Sequence, residues 1–218
     1  MSSPDAAQLD LPVGKPPLLH EGEVTQDQLR KFECHAGSYF TAKKIAAAEQ
    51  VAHVMGCLRD YRITDWLEND EERTAAAALD FKSFMGKVRE HLLPTDWIRT
   101  IKKELNGRKQ GPKETFLKFL TAVERTNSLL VNTDAHLSPA QIRSLLESNM
   151  LTDLAEDLDD DGKAAAEDDY KKWCELVKSR DNIRLRNIAR LNQVAEERER
   201  ARRELEQRVD LASSGALP

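Results

Sequence analysis

Apolar residues recur at helical spacing along most of the chain, and no segment alternates apolar with polar positions as a half-buried strand requires. Leu29, Phe32, Ala36 and Tyr39 or Phe40 share one face of a helix that Thr25 can cap and that runs to about Phe40. Val51, Val54, Met55 and Leu58 predict a second helix near 46–60. Thr64 can cap a short third helix carrying Trp66 and Leu67. Asp80 can cap a fourth, in which Phe81, Phe84, Met85, Val88 and Leu92 form a wide apolar stripe. Pro94 then punctuates the pattern. After it come Trp97, Ile98, Ile101 and Leu105 on a helix, with Gly107 suited to the C′ position. A helix over about 113–131 carries Phe116, Leu117, Leu120, Val123 and Leu130. In "SPAQIRSLLES", Ser138 caps, Pro139 takes the first helical position and Gln141 completes a capping box. Thr152 predicts one more short helix before an acidic loop, and 166–208 is helical almost throughout. The expectation is an all-α protein of about nine helices in two groups meeting near Pro94.

Composition changes this picture at the two ends. Residues 1–24 are rich in Pro, Gly, Ser and charge, and read as a disordered arm. Residues 152–175 hold ten acids against three bases, a net of −7, whereas 178–208 hold ten bases against six acids, a net of +4. Pairs such as Glu199–Arg203 and Glu204–Arg208 suit an exposed final helix. The overall charge of −5 argues against a uniformly basic nucleic-acid binder. Three scattered cysteines, Cys34, Cys57 and Cys174, suit a reducing compartment better than a disulfide framework. No apolar run approaches a membrane span, and the start "MSSP" is neither a signal peptide nor a myristoylation site. A soluble, cytoplasmic chain that makes no membrane contact is expected.

Candidate chemistry is sparse. "DLDDDGKAAAED" places Asp157, Asp159, Asp161 and Gly162 at the first, third, fifth and sixth positions of a calcium loop. However, Asp168 stands where a bidentate Glu is needed, and Ala164 is too small for the aliphatic anchor, so the segment reads as an acidic linker. The five histidines do not pair with cysteine at zinc-ligand spacing. There is no nucleophile elbow, phosphate-binding glycine loop or metalloprotease helix. No enzyme activity, metal, cofactor or small-molecule substrate is expected. Trp66, Trp97 and Trp173 sit in apolar stripes and read as core.

One stretch stands apart. "QGPKETFLKF" places a Gln-Gly pair before a Glu, with aromatics two and five residues after it. Gln110, Gly111, Glu114, Phe116 and Phe119 thereby match the major homology region of retroviral and retrotransposon Gag capsids position by position. Physically, Gly111 would permit a tight turn and Glu114 would accept backbone N–H groups near the helix start. Gln110 would bridge loop backbone, while both Phe side chains anchor the helix. Where the retroviral motif usually has an arginine twelve residues after the Gln, this chain has Ala122, with Arg125 a turn later. "AEQVAHVMGCLRDYRITDW" and "FKSFMGKVREHLLPTDWIRTIKKEL", with "FLKFLTAVERTNSLL", extend the likeness over about 32–155. In that order they resemble Gag proteins of gypsy-class LTR retrotransposons, particularly fungal ones.

The resemblance implies a two-lobe helical capsid: an N-terminal lobe over 25–93, a C-terminal lobe over 94–178 and a net-basic helix and tail over 179–218. It implies a protein whose main partner is itself, assembling into virus-like particles. RNA would be gathered non-specifically through Lys102, Lys103, Arg108, Lys109, Arg184, Arg186, Arg190, Arg198 and Arg202. The acidic stretch could instead fold against the last helix and mask it. Many such proteins continue into a Cys-x2-Cys-x4-His-x4-Cys knuckle that these 218 residues do not contain. Either a continuation carries it or the copy is truncated or domesticated. The alternative function is that of an adaptor, a domesticated Gag fold binding a partner peptide or helix without forming shells.

Overall fold

The computed structural model describes residues 6–214, with side chains as far as residue 206. Helix makes up 69% of the described residues, so the class is mostly helical, as the periodicity predicts. In chain order the elements are β1 (Leu9–Asp10), β2 (Leu18–Leu19), α1 (Gln26–Lys43), α2 (Gln50–Val54), α3 (Tyr61–Glu68), α4 (Asp70–Ala77) and α5 (Phe81–Leu92). They continue with α6 (Trp97–Gly107), α7 (Phe116–Ser128), α8 (Pro139–Asn149), α9 (Thr152–Asp161) and α10 (Tyr170–Ser214). Two compact units divide them. The first takes the described residues through Gly107 together with Arg125–His136, and the second takes Arg108–Glu124 with the described residues from Leu137 onward. Pro94 lies inside the first unit, and the boundary cuts α7 after Glu124.

In the first unit, α1 begins where its sequence says. Thr25 and Gln28 form a reciprocal capping box, and Leu29, Phe32, Ala36 and Phe40 are buried. Phe84, Met85, Val88 and Leu92 of α5 face the same core, with Trp66 and Trp97 packed against it. Within that core Arg89 is 5% exposed and donates to Glu33 (2.6 Å) and Gln26 (3.2 Å). Both polar partners are buried too, so the charges are compensated where solvent cannot reach them.

Four sequence expectations give way here. The stretch 1–24 reads as disordered, yet its described part, 6–24, forms an antiparallel hairpin pairing Leu9 with Leu19. Gly14, at φ 70°, turns the chain between the strands. Ala7, Leu19 and Val24 are buried, and that burial offsets a composition poor in apolar residues. The helix expected over 46–60 is broken into short turns around α2, because Leu58 is extended and bridges to Leu19. The cap of α3 is Asp60, whereas Thr64 lies inside that helix and bonds back to the Tyr61 carbonyl. Helix α4 was not expected at all. Its sequence "DEERTAAA" buries only Ala76, so it has no apolar period to read.

The Asp60 cap shows how an acid is held in a core. Its side chain is almost fully buried and takes hydrogen bonds from the Arg62 backbone and guanidinium. Burial alone would raise the carboxyl, but the Arg62 hydrogen bonds and charge outweigh it and hold the group below the usual carboxylate range. Arg62 also reaches the carbonyls of Gly22 and Leu92, tying hairpin, α3 and α5 together.

In the second unit, Phe116, Phe119, Leu120 and Val123 of α7 are buried, as are Ile142, Leu146, Leu154 and Leu158 of α8 and α9. Trp173 and Val177 on α10 complete this set, and α8 and α9 pack on α10. Phe116 meets Phe119 at 6.4 Å and Trp173 edge-on at 5.9 Å between ring centres. Leu117, expected inside, is 53% exposed, because α7 buries the face that carries Phe116, Phe119, Leu120 and Val123. The α8 capping box forms as predicted, with Ser138 and Gln141 bonded reciprocally and Pro139 at the start. Helix α9 begins at Thr152 with no side-chain cap, so Thr152 is its first residue and not its N-cap.

Candidate functional site

The candidate site is the passage from α6 into α7. Gly107 is the last residue of α6 and is not left-handed, so it does not act as the C′ glycine its position suggests. The chain then makes a tight turn in which the Glu114 N–H donates to the Gly111 carbonyl at 2.9 Å. Pro112 occupies the second position of that turn, and Lys113 the third. Because Lys113 does not have positive φ, the turn belongs to type I, which Pro favours at that second position. Pro112 therefore shapes the turn. Gly111 is not required for it: its φ is not positive, and an added Cβ would meet only the Glu114 side chain at ordinary contact distance.

The side chains close this turn from both ends. The Gly111 N–H donates to Glu114 Oε2 at 2.9 Å, so the carboxylate folds back over the loop and not onto the helix start. Arg108 pairs with the other Glu114 oxygen and lies 5.6 Å over the Phe119 ring. Gln110 is 6% exposed and is fully engaged. Its Nε2 donates to the Glu114 carbonyl (3.0 Å), its Oε1 accepts from the Leu151 N–H (3.1 Å) and its own N–H donates to the Asn149 carbonyl (2.9 Å). One glutamine thus ties the turn before α7 to the connection between α8 and α9.

The start of α7 is capped from elsewhere. Thr115 accepts from the Lys118 N–H at 3.2 Å in the ordinary N-cap manner. The Phe116 N–H donates instead to Asp181 Oδ2 at 2.7 Å, a buried bond to a residue on α10. Asp181 is held in turn by Arg184 at 2.7 and 3.0 Å, and both side chains are more than nine-tenths buried. A helix start has four N–H groups without intrahelical partners, and here the buried one receives a charged acceptor that is itself neutralised.

The structure therefore brings Gln110, Gly111, Glu114, Phe116 and Phe119 into one cluster and adds Arg108, Asp181 and Arg184 to it. Nothing local in the sequence marks the last two, since they lie 65 or more residues from Phe116. Of the nine cations expected to meet RNA, Lys102, Lys103, Lys109, Arg186, Arg190, Arg198 and Arg202 are exposed. Arg108 is half-buried in its pairing with Glu114, and Arg184 is buried against Asp181, which removes Arg184 from any RNA-facing surface. Arg125, a turn after the motif position that Ala122 occupies, pairs with Asp27 within the first unit. Glu199 and Arg203 form the expected pair at 2.6 Å, while the Arg208 side chain lies outside the described residues.

The acidic segment is not a loop over its first half. Asp157, Asp159 and Asp161 lie on α9, which Gly162 closes in the left-handed conformation at φ 65°. Carboxylates on a helix point around its axis and do not converge on an ion as the positions of a calcium loop do. Among the described residues no group of three or more His, Cys, Asp or Glu side chains is placed to hold a metal. Burial and the bond it donates to Glu124 push the Tyr170 phenol well above its usual range, and burial likewise raises the Cys174 thiol. No helix among the described residues is long and apolar enough to cross a membrane. The chain matches no protein-family model, no curated protein and no solved structure.

Proposed function

We propose that this chain is a retrotransposon-type Gag capsid protein, which self-assembles into virus-like particles and gathers RNA non-specifically. The observation that carries the reading is the closed turn at 108–119. The five residues that resemble the major homology region touch one another or share one network, in which Gln110 does what the motif's chemistry asks while Glu114 accepts from the loop and not from the helix start. Gln110 bridges backbone, and the Glu114 carboxylate accepts a backbone N–H. Every one of these contacts holds the fold of the second unit together. A self-associating shell needs such rigidity, because weak contacts repeated over many subunits close only if each subunit presents them in fixed positions. The seven exposed cations supply salt-sensitive phosphate contacts for RNA.

The test is the state of the purified protein across salt and concentration. Particles or large oligomers in light scattering and negative-stain microscopy are expected, with nucleic acid co-purifying at low salt. A monomer at every concentration would overturn the shell reading and leave the adaptor function, for which a partner retained in pull-down is the mark.

A further inference from the structure

Helix α10 runs on past the core of the second unit with its apolar face uncovered. The face buried at Trp173, Val177, Asp181 and Arg184 continues in steps of three and four as Ile188, Leu191 and Ala195. From residue 186 to residue 206 every residue is exposed. The far half of this stretch explains itself, since Gln193–Glu197, Glu199–Arg203 and Arg202–Glu206 are i,i+4 pairs that steady a lone helix. The near half does not. Residues 186–195 carry Arg186, Arg190 and no acid, with Leu191 63% and Ile188 40% exposed.

The same unit holds a counterpart. A pocket of about 390 Å3 lies between α8, α9 and α10, with Met150, Leu158, Ala164 and Trp173 as apolar lining and Glu147 and Asp159 among its polar residues. That volume is in the range of built binding pockets. Arg143, also in the wall, is occupied by Glu147, the Trp173 ring and the carbonyls of Ala164 and Glu167. The segment 152–169, which supplies Ala155, Leu158, Asp159, Ala164 and Ala165 to the wall, carries nine acids and one base. A pocket of mixed apolar and polar lining on this acid-rich segment fits an apolar stripe flanked by arginines and free of acids.

The two cannot meet within one molecule. Ile188 stands fifteen residues beyond Trp173 on the same helix, about 22 Å along its axis, and no Gly or Pro interrupts α10 from Tyr170 to Ser214. The masking of the basic helix by the acidic stretch of its own chain is therefore excluded for residues 186–206. We infer that the 186–195 stretch of α10 docks, with Ile188 and Leu191, into the acid-rimmed pocket on the second unit of another copy of this chain. This deepens the self-association reading and rests on it. The contact is head-to-tail, so it repeats from copy to copy instead of stopping at a pair. Pairing of two α10 helices in parallel would set Arg186 and Arg190 against their own counterparts. Either symmetric pairing would leave the acid-rimmed pocket without a partner.

Sedimentation velocity on the full chain tests this with two variants at exposed positions. Leu191→Asp spoils the helix face, and Asp159→Arg combined with Ala165→Arg spoils the pocket rim. Each alone is expected to weaken association more than about tenfold with helicity unchanged. Mixed, the two variants are expected to form one-to-one dimers that do not grow, because one intact helix and one intact pocket remain between them. Wild-type association should also weaken as salt rises. Full association by the pocket variant would overturn the head-to-tail contact in favour of symmetric helix pairing, and mixing without dimers would overturn it outright. Association by both variants equal to wild type would overturn it while leaving self-association standing. A wild-type monomer throughout would overturn both readings.

Discussion

Two helix starts in the second unit solve the same problem in opposite ways. Helix α8 is capped by three residues of its own sequence, Ser138, Pro139 and Gln141, on the surface. Helix α7 begins on the buried Phe116, and its start is assembled from an upstream turn, its own Thr115 and an aspartate on α10. An exposed start can lean on water, so a local cap suffices. A buried start has no water to fall back on, and its N–H groups must be matched by whatever the fold brings near.

This contrast can be broken most sharply at Asp181. Asp181→Ala should cost about 3–5 kcal/mol, because it leaves the Arg184 charge buried and unpaired as well as the Phe116 N–H. Ser138→Ala, by comparison, should cost about 1 kcal/mol, the usual value of a surface cap. Urea denaturation of both variants checks the pair, and equal costs would mean that burial of the α7 start does not matter. Glu114→Ala comes next, at about 1–3 kcal/mol, since it frees the Gly111 N–H and the Arg108 guanidinium.

A pH experiment extends the comparison to the first unit, where Asp60 is a buried cap and Asp80 an exposed one. The Asp60 carboxyl is held below its unfolded value, about 3.9. Its contribution is therefore complete above that pH and is lost as pH falls through the lower folded value. Thermal melts of Asp60→Asn should accordingly start lower at neutral pH and decline less on acidification than wild type. An identical acid limb would show that Asp60 is not a source of acid sensitivity. The smallest effect is expected at Gly111→Ala, within about 0.5 kcal/mol, because neither φ nor space demands glycine there. A large loss in a melt would restore to Gly111 the turn-making role now given to Pro112.

What the sequence shows of this fold divides along the same line. The two capping boxes, Thr25 with Gln28 and Ser138 with Gln141, are legible because all their atoms lie within four residues. The stripes of α1, α5 and α7 are legible because burial imposes a period. Illegible were the elements whose reason is distant. Leu58 leaves the helical pattern to reach Leu19, the hairpin folds because Leu19 has a core to enter, and α4 buries Ala76 alone. At the candidate site the five motif residues stand out from their spacing. Arg108 and Arg184 looked like free cations, because only folding sets Glu114 and Asp181 beside them.

The buried Gln110 has a consequence for how the second unit moves. Its backbone and side chain fasten two connectors, the turn before α7 and the link between α8 and α9, by bonds to Glu114, Asn149 and Leu151. Loops ordinarily open on their own and exchange their amide hydrogens quickly. These two cannot open separately without breaking the same glutamine's bonds. The amides of Gln110 and Leu151 should therefore exchange slowly and at a common rate, as if the two connectors were one piece of the core.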